Sequence, residues 1–321
     1  MQLVPQYLGK EELRELLRTS NAQGFLALGA SWGLILAAFV LYVRFPTVST
    51  FLLSSVLIGG RQLALGILMH DCAHRSLFRS RRLNDWVGAW FCAYPTWQDL
   101  SRYRPHHLRH HALAGTEKDP DLALVTAYPT EPRSLARKFL RDLSGVTFLR
   151  RVVGLLMMDA GYIEYTVAGE LKPVPRARSR SYGEVVRTFL VNFGPVALSN
   201  SVLLGFLWWS GHPELYGLWI FSWAIFFSVF VRVRSIAEHA CTEMRPEPPL
   251  HTRTTRAGML ARFTVAPHHV NFHLEHHLLM LVPQHRLKQF HGLLWDRGFY
   301  ERTSAYFELG YLRVLRRAMM G

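Results

Sequence analysis

Four long apolar segments constrain the fold of this 321-residue sequence more than any other feature. A helix needs about 20 apolar residues to cross the hydrocarbon core of a bilayer. Residues 25–43, 47–69, 186–209 and 215–233 meet this requirement. Only short turns separate the first segment from the second and the third from the fourth. The sequence therefore predicts an all-α integral membrane protein whose four transmembrane helices form two hairpins.

The distribution of basic residues predicts the orientation of these helices. Of the 37 Lys and Arg residues, all but Arg44 and Arg61 lie in or at the edges of the segments 1–24, 70–185 and 234–321. Since basic residues accumulate in cytoplasmic loops, we expect both termini and the large middle segment to be cytoplasmic. The chain is then a single membrane domain, residues 1–321, with a helical cytoplasmic cap. Residues 1–24 carry charges in an amphipathic pattern, so no cleavable signal peptide is expected.

The composition excludes several classes of protein. A net charge of +14 is common in nucleic-acid-binding proteins. Here the topology and attraction to anionic lipids account for the charge, and no nucleic-acid motif accompanies it, so no nucleic-acid partner is expected. Three cysteines without a CxxC pair exclude a disulfide framework, a zinc ribbon and a cysteine-held iron–sulfur cluster.

Three shorter segments are predicted to lie at the membrane or protein surface. Residues 86–97 and 146–165 are apolar but too short or too interrupted to span a bilayer, so we expect interfacial helices on the cytoplasmic leaflet. The Pro- and Arg-containing stretch 172–180 is predicted to be a surface loop.

Histidine supplies the candidate metal ligands, because most of the 16 histidines fall into three short clusters. The first cluster, His70 and His74 in an HxxxH spacing, lies where the second span ends. Residues i and i+4 share one face of a helix, so both imidazoles can face one metal. Alone, such a pair is weak evidence for a metal and is more often a polar cap on a membrane helix.

Two clusters with an HxxHH spacing follow, at residues 107–111 and 273–277. Adjacent histidines on one helix differ in direction by about 100° and can therefore reach two different metals. His239 follows the fourth span as His70 ends the second, which predicts that both lie at the same cytoplasmic mouth. The nine candidate ligands are His70, His74, His107, His110, His111, His239, His273, His276 and His277.

Nine ligands are more than one ordinary site uses and suit two ions. Neutral imidazole binds iron, copper, nickel and zinc, so the spacing does not name the metal. His106 is predicted to be a neighbouring group of the second cluster. Surface or packed positions are predicted for His212, His251, His285 and His291.

In order and spacing, the three clusters resemble the histidine boxes of the membrane fatty acid desaturase and hydroxylase superfamily. This resemblance implies that the nine histidines hold two non-haem iron ions, with His239 as the additional histidine found in some relatives. It also implies O₂ as co-substrate and attack on an unactivated C–H bond of a lipid chain. Asn271 is a further candidate, approaching an iron directly or through water.

Acidic residues beside the boxes are candidates to orient the imidazoles, because metal-bound histidines usually donate their other N–H to a carboxylate or carbonyl. Ion pairing with nearby arginines explains the position of each of these acidic residues equally well. These residues are Asp71, Asp119, Asp121, Glu238 and Glu275.

The predicted function is desaturation of a fatty acyl chain of a lipid or thioester. Hydroxylation or ketolation of an acyl, sphingoid or carotenoid substrate is the alternative, since the same boxes serve both. A histidine-rich metal transporter is a distant alternative, because it would place ionisable ligands near the bilayer midplane, where we identify only Arg61. The sequence has no GxGxxG, haem-attachment motif or cysteine quartet. The resemblance therefore implies a separate electron donor of ferredoxin or cytochrome type. We expect it to dock on the Arg-rich cytoplasmic face, although attraction to anionic lipid headgroups explains these arginines equally well.

Overall fold

A computed structural model describes residues 3–168, 171–175 and 179–320, and these are mostly helical with very little strand. The helices are α1 Lys10–Leu16, α2 Asn21–Arg44, α3 Val48–Ala73, α4 Arg81–Val87, α5 Leu100–Leu113, α6 Pro132–Leu143, α7 Val146–Asp159, α8 Tyr182–Trp209, α9 Glu214–Ser222, α10 Ser228–His239, α11 Pro248–His251, α12 Met259–Phe263, α13 His273–Leu278, α14 Gln284–Asp296, α15 Phe299–Thr303 and α16 Tyr311–Arg317. Two short parallel strands pair with each other, β1 Arg253–Thr255 and β2 Tyr306–Glu308.

Within the described part of the chain, four helices are long and apolar enough to cross a membrane, which confirms the predicted number of spans. They are α2, α3, α8 and the continuous helix Glu214–His239, in which a π-helical turn, Trp223–Phe227, joins α9 to α10. The fourth helix is longer than predicted and carries Arg234 and Glu238 as well as Arg232. Arg61 is therefore not the only ionisable residue on the apolar helices. Charge does not end the fourth helix because Arg232 pairs with the buried Asp142 and Arg234 pairs with Glu238.

Polar side chains fix where the long helices begin. The Thr47 hydroxyl accepts a hydrogen bond from the Thr50 N–H at 3.2 Å at the start of α3. At the start of α8, Ser181 and Glu184 form a reciprocal capping box. Such caps satisfy backbone N–H groups that lack partners within the first turn. The short turn 45–47 thus ends one apolar helix and begins the next.

Helix α3 is the centre of the helix bundle. In its most apolar 18-residue window 67% of residues are buried, against 11% for α8, whose apolar surface is therefore available to lipid. The helix contacts α2, α5, α9 and the π-helical turns. Several of its buried polar groups form hydrogen bonds to neighbouring helices, as in the 2.9 Å hydrogen bond from the Gln62 amide to the Trp219 carbonyl. Arg61 likewise donates to the Arg262 carbonyl at 2.9 Å.

Arg104 joins α5 to the end of α3. Its guanidinium donates to the carbonyls of Cys72 and Ala73 at 3.1 and 3.0 Å and pairs with Asp85. Since cations stabilise the carbonyl end of a helix, this contact brings the second histidine cluster beside the first.

The three shorter segments form short helices, turns and an irregular loop. Residues 86–97 form the end of α4, a π-helical turn Gly88–Ala93 and a 3₁₀ turn Tyr94–Thr96, and residues 146–165 begin with α7. Of the predicted surface loop 172–180, residues 176–178 lie outside the described part of the chain. Within the described part, the loop forms an isolated bridge between Ile163 and Pro173.

Candidate metal centre

The three histidine clusters lie on three separate helices that meet at one end of the bundle. His70 lies in the last turn of α3 and His74 directly follows that helix. The second cluster lies on α5, the third on α13, and His239 is the last residue of α10. All nine histidines predicted from the sequence come together in two adjoining groups.

The first group contains five histidines whose ligand nitrogens all lie within 4.8 Å of one another. His107 Nε2 lies 2.9 Å from His74 Nε2 and 3.1 Å from His111 Nε2. The members of this group are His70, His74, His107, His111 and His276.

The second group contains His110, His239 and His277, whose ligand nitrogens also lie within 4.8 Å of one another. His273 adjoins this group, because its Nε2 lies 2.8 Å from His239 Nε2. The rings of His111 and His277 are only 4.3 Å apart and bring the two groups into contact.

In three of the box histidines, Nδ1 contacts an oxygen on the outer side of the ring, so Nε2 faces the other histidines. His70 Nδ1 lies 3.2 Å from Asp71, His110 Nδ1 lies 2.8 Å from Asp119, and His239 Nδ1 lies 2.9 Å from the His251 carbonyl. These oxygens accept hydrogen bonds, so in each ring Nδ1 carries the proton and Nε2 keeps its lone pair.

In these three rings the inner Nε2 therefore has no proton to donate to a neighbouring histidine. Neutral imidazole has one donor and one acceptor, and converging lone pairs repel unless a cation lies between them. The Nε2 atoms of His70 and His277 are buried and have no hydrogen-bond partner. This donor set fits metal ions and does not fit a self-contained hydrogen-bond cluster.

Most of the acidic residues singled out in the sequence contact a box histidine. Asp71 and Asp119 do so directly, and Glu238 lies 3.5 Å from His273 Nδ1 while also pairing with Arg234. Asp121 lies 2.8 Å from His106 Nε2, so His106 is a neighbouring group as predicted.

Glu275 is the exception. Although it lies within the third box, its carboxylate contacts His291 at 2.6 Å, Thr254 at 2.5 Å and the Tyr300 hydroxyl. It therefore anchors α13 to α14 and α15, and in this structure it orients no box histidine.

A family model described as fatty acid desaturase matches residues 46–310. The chain belongs to this family. The resemblance predicted from the three histidine boxes is confirmed.

Two curated desaturases are similar to this family member. The dihydrorhizobitoxine desaturase of Bradyrhizobium elkanii is 28% identical over 276 residues, which cover 83% of this chain and 74% of that protein. The sn-1 oleoyl-lipid 12-desaturase of Synechocystis sp. is 24% identical over 253 residues, covering 74% of this chain and 67% of that protein. The fatty acid desaturase-family chain is thus an oxidoreductase, and its four apolar helices make it an integral membrane protein.

Burial keeps most box histidines of this desaturase-family protein neutral. It lowers the pKa of His74 to about 3 and lowers the pKa values of His107, His273, His276 and His277 well below the ordinary value. Neutral imidazole is the form that binds metals. For His110, burial acts in the same direction, but the Asp119 hydrogen bond and the nearby carboxylates outweigh it and raise the pKa.

A small cavity lies beside the first group. Apolar side chains, Ile67, Val270 and Leu287, line it together with His70 and His276. His268 also faces this cavity, with its Nε2 atom 2.9 Å from the Ser31 hydroxyl. His268 was not predicted from the sequence, because it lies outside the box spacing.

Two other residues near the centre were not predicted as functional. Buried Arg253 donates to the carbonyls of Ile236, Ala237, Ala240 and Cys241 at 2.8–3.3 Å, and so holds the end of α10 that carries His239. His251, predicted to be a surface or packed residue, is buried beside the second group.

The remaining isolated histidines lie where their sequence context predicts. His212 pairs with Glu214 at an exposed turn, His285 is half-buried, and His291 packs against Tyr300. The side-chain amide of Asn271, the further candidate near an iron, donates to the Thr255 carbonyl at 3.0 Å and ties β1 to the segment before the third box.

Proposed function

We propose that this chain desaturates a fatty acyl chain of a lipid or thioester at a di-iron centre held by the nine histidines. The observation that carries the proposal is the convergence of all nine imidazoles in two adjoining groups. The first group would hold one iron, and His110, His239, His273 and His277 would hold the second. Iron is the metal in this proposal because imidazole suits it and because the chain belongs to a family of oxidoreductases.

When bound, two iron ions would supply the activation of O₂ and the removal of hydrogen from an unactivated C–H bond. The side chains around them have separate roles. Asp71 and Asp119 accept hydrogen bonds from the Nδ1–H groups of His70 and His110 and hold these rings in orientation. Glu238 lies 3.5 Å from His273 Nδ1 and would favour one orientation of that ring. The apolar wall of the adjoining cavity excludes water from the reacting carbon.

Desaturation takes two hydrogens from the substrate and reduces one O₂ to two waters, which requires two electrons and two protons from outside. Among the described residues, all three cysteines are free thiols. We therefore assign electron supply to a separate ferredoxin- or cytochrome-type protein. Its docking surface would be the basic cytoplasmic face, with both termini and the active site on that side and the four spans arranged as two hairpins.

The substrate assignment rests on the apolar surroundings of the centre. The outward surface of α8 and the Ile67, Val270 and Leu287 wall suit an alkyl chain that enters from the bilayer. The relatives carry names of two different substrates, dihydrorhizobitoxine and an oleoyl lipid. Family membership alone therefore leaves the substrate open, and hydroxylation or ketolation remains the alternative outcome at the same centre. Membership of an oxidoreductase family favours desaturation, hydroxylation or ketolation over metal transport.

The test is gas chromatography and mass spectrometry of lipids and pigments from a host that expresses the chain with a reductase system. The His107→Ala variant removes a box ligand, and the His212→Ala variant is the matched control at an exposed turn. Products two hydrogens lighter with the wild type and the control, but absent with His107→Ala, would support desaturation. Products carrying an added oxygen would replace it with hydroxylation. Full activity of His107→Ala would contradict the proposed centre.

A further inference from the structure

His251 is a buried histidine whose two ring nitrogens have very different surroundings. The residue is only 4% exposed. Nδ1 lies 2.8 Å from the Arg245 carbonyl, and since a carbonyl only accepts, Nδ1 carries the proton. Nε2 therefore keeps its lone pair, yet it is buried and has no hydrogen-bond partner. A buried acceptor left in this state is unfavourable unless another group uses it.

The same pattern of nitrogens occurs in the box histidines. In His239, Nδ1 donates to a backbone carbonyl, that of His251 at 2.9 Å, and Nε2 faces the centre. The carbonyl of His251 thus orients one ligand of the second group, while its own imidazole lies against another.

The His251 ring lies slightly farther out than the rings of the second group, but within the distance that a shared ion allows. The His251 ring lies 5.5 Å from the ring of His277 and 6.3 Å from that of His239. Within the second group the ring separations are 4.9, 5.0 and 5.2 Å. An imidazole nitrogen lies about 2.1 Å from a bound ion, so two rings that share one ion can lie up to about 6.5 Å apart.

The local backbone is built to place His251 there. Gly115 has a positive φ of 75°, and a side chain at this position would clash with the Arg245 carbonyl and with His251 Nδ1. The Thr242 hydroxyl lies 3.2 Å from the His251 carbonyl, and the Glu243 N–H donates to the Leu250 carbonyl at 2.8 Å. The segment after α10 therefore folds back so that α11 ends beside the second group.

We propose that His251 is a tenth metal-binding histidine, whose Nε2 binds the second ion together with His110, His239, His273 and His277. This inference rests on the proposed di-iron centre. It gives each ion five imidazole ligands, whereas the box pattern alone gives five and four.

The test compares two substitutions at one position in the purified full-length protein. His251→Asn places an amide nitrogen where Nδ1 lies, so it can keep the hydrogen bond to Arg245 while removing Nε2. His251→Gln keeps a polar atom near the position of Nε2. His285→Ala, at a half-buried histidine outside both groups, is the control. Iron per chain and the rate of iron release to a chelator are measured for each after reconstitution with Fe(II).

If His251 is a ligand, His251→Asn loses one of two ions, or releases it at least about tenfold faster. His251→Gln should retain more iron than His251→Asn, and His285→Ala should match the wild type. If the wild type holds two ions and His251→Asn releases them at the wild-type rate, His251 only packs against the site and this inference is wrong. If the wild type holds no iron, the proposed function itself fails, and this inference fails with it.

Discussion

The Nε2 atoms of His111 and His276 lie 3.0 Å apart although 165 residues separate them along the chain. His111 is on α5 and His276 is on α13, so this contact closes the first histidine group across the whole fold. Replacing His276 by Ala should release the first ion, because the remaining four imidazoles lose the ligand contributed by α13. We expect iron content to fall from about two ions per chain to about one or fewer, with loss of turnover.

The control for that variant is His285→Ala, nine residues further along and outside both groups. Metal analysis and product assays on both proteins are required. Retention of two ions by His276→Ala would exclude His276 as a ligand and would require a different division of the nine histidines.

Asp119 should tune the second ion without binding it. Its carboxylate lies 2.8 Å from His110 Nδ1, and removing such a partner usually weakens metal affinity 10- to 100-fold. Asp119→Asn should therefore show weaker Fe(II) binding in a competition titration. Glu117→Gln removes an exposed acid two residues away and should bind iron like the wild type. Equal affinity of all three proteins would show that the carboxylate does not orient His110.

Helix periodicity explains why the boxes were predictable. An i, i+4 or HxxHH spacing sets the direction of side chains within one helix, and the apolar segments place the ends of two helices at the same side of the bundle. Asp71 and Asp119 could be singled out because they lie next to the boxes in sequence.

Other parts of the centre depend on contacts that no spacing encodes. His251 and Arg253 reach the second group only because the chain reverses after His239, and Glu275 turns away from the centre because His291 and Tyr300 bind it. The fourth helix was predicted to end at residue 233, where Arg234 begins a charged stretch. It continues to His239 in the structure, and Arg234 pairs with Glu238 one turn further along.

Arg253 should be essential for the position of His239. It is only 2% exposed and donates to four carbonyls around the end of α10. Arg253→Ala leaves these carbonyls without the cationic donor and should lower the free energy of unfolding by about 2–4 kcal/mol. Thermal denaturation in detergent measures this loss, and iron release should also be faster. Arg253→Lys should not restore stability, since one ammonium cannot reproduce the planar fork.

Arg256 provides the matched control, because it lies three residues away and is exposed. Arg256→Ala should change stability by no more than about 0.5 kcal/mol. A similar loss of stability in both variants would mean that basic charge in this segment stabilises the fold, and that the hydrogen bonds from Arg253 to the end of α10 do not.

The docking of α1 should depend on pH at the acidic end of the range. A hydrogen bond from Arg297, together with one from the Gly9 N–H, lowers the pKa of Glu12 to about 2 from an ordinary value of 4.5. A lowered carboxyl pKa stabilises the folded state above the unfolded pKa, and the contribution is lost as pH falls from about 4.5 towards 2. The protection factors of residues 10–16 in hydrogen exchange, which correct for slower intrinsic exchange in acid, should therefore fall over this interval.

Glu12→Gln should remove that dependence, with exchange already fast at neutral pH. Glu11→Gln is the control, since Glu11 pairs only with the exposed Arg14 among the described residues. Unchanged exchange in Glu12→Gln would show that apolar packing of α1 on α14, and not the ion pair, holds the segment.

Gly60 should be the least replaceable glycine of α3. A methyl group there would clash with the backbone of Phe263 and Thr264, which lie directly against the helix. At Gly66, on the same helix, a methyl group would meet only the end of the Gln98 side chain at 3.7 Å. Alanine favours a helix over glycine by about 1 kcal/mol, so Gly66→Ala should be neutral or slightly stabilising. Gly60→Ala should instead displace the segment that leads into the third histidine box. Melting temperature and iron content of the two purified variants measure the difference, and equal behaviour would mean that this segment does not need its close contact with α3.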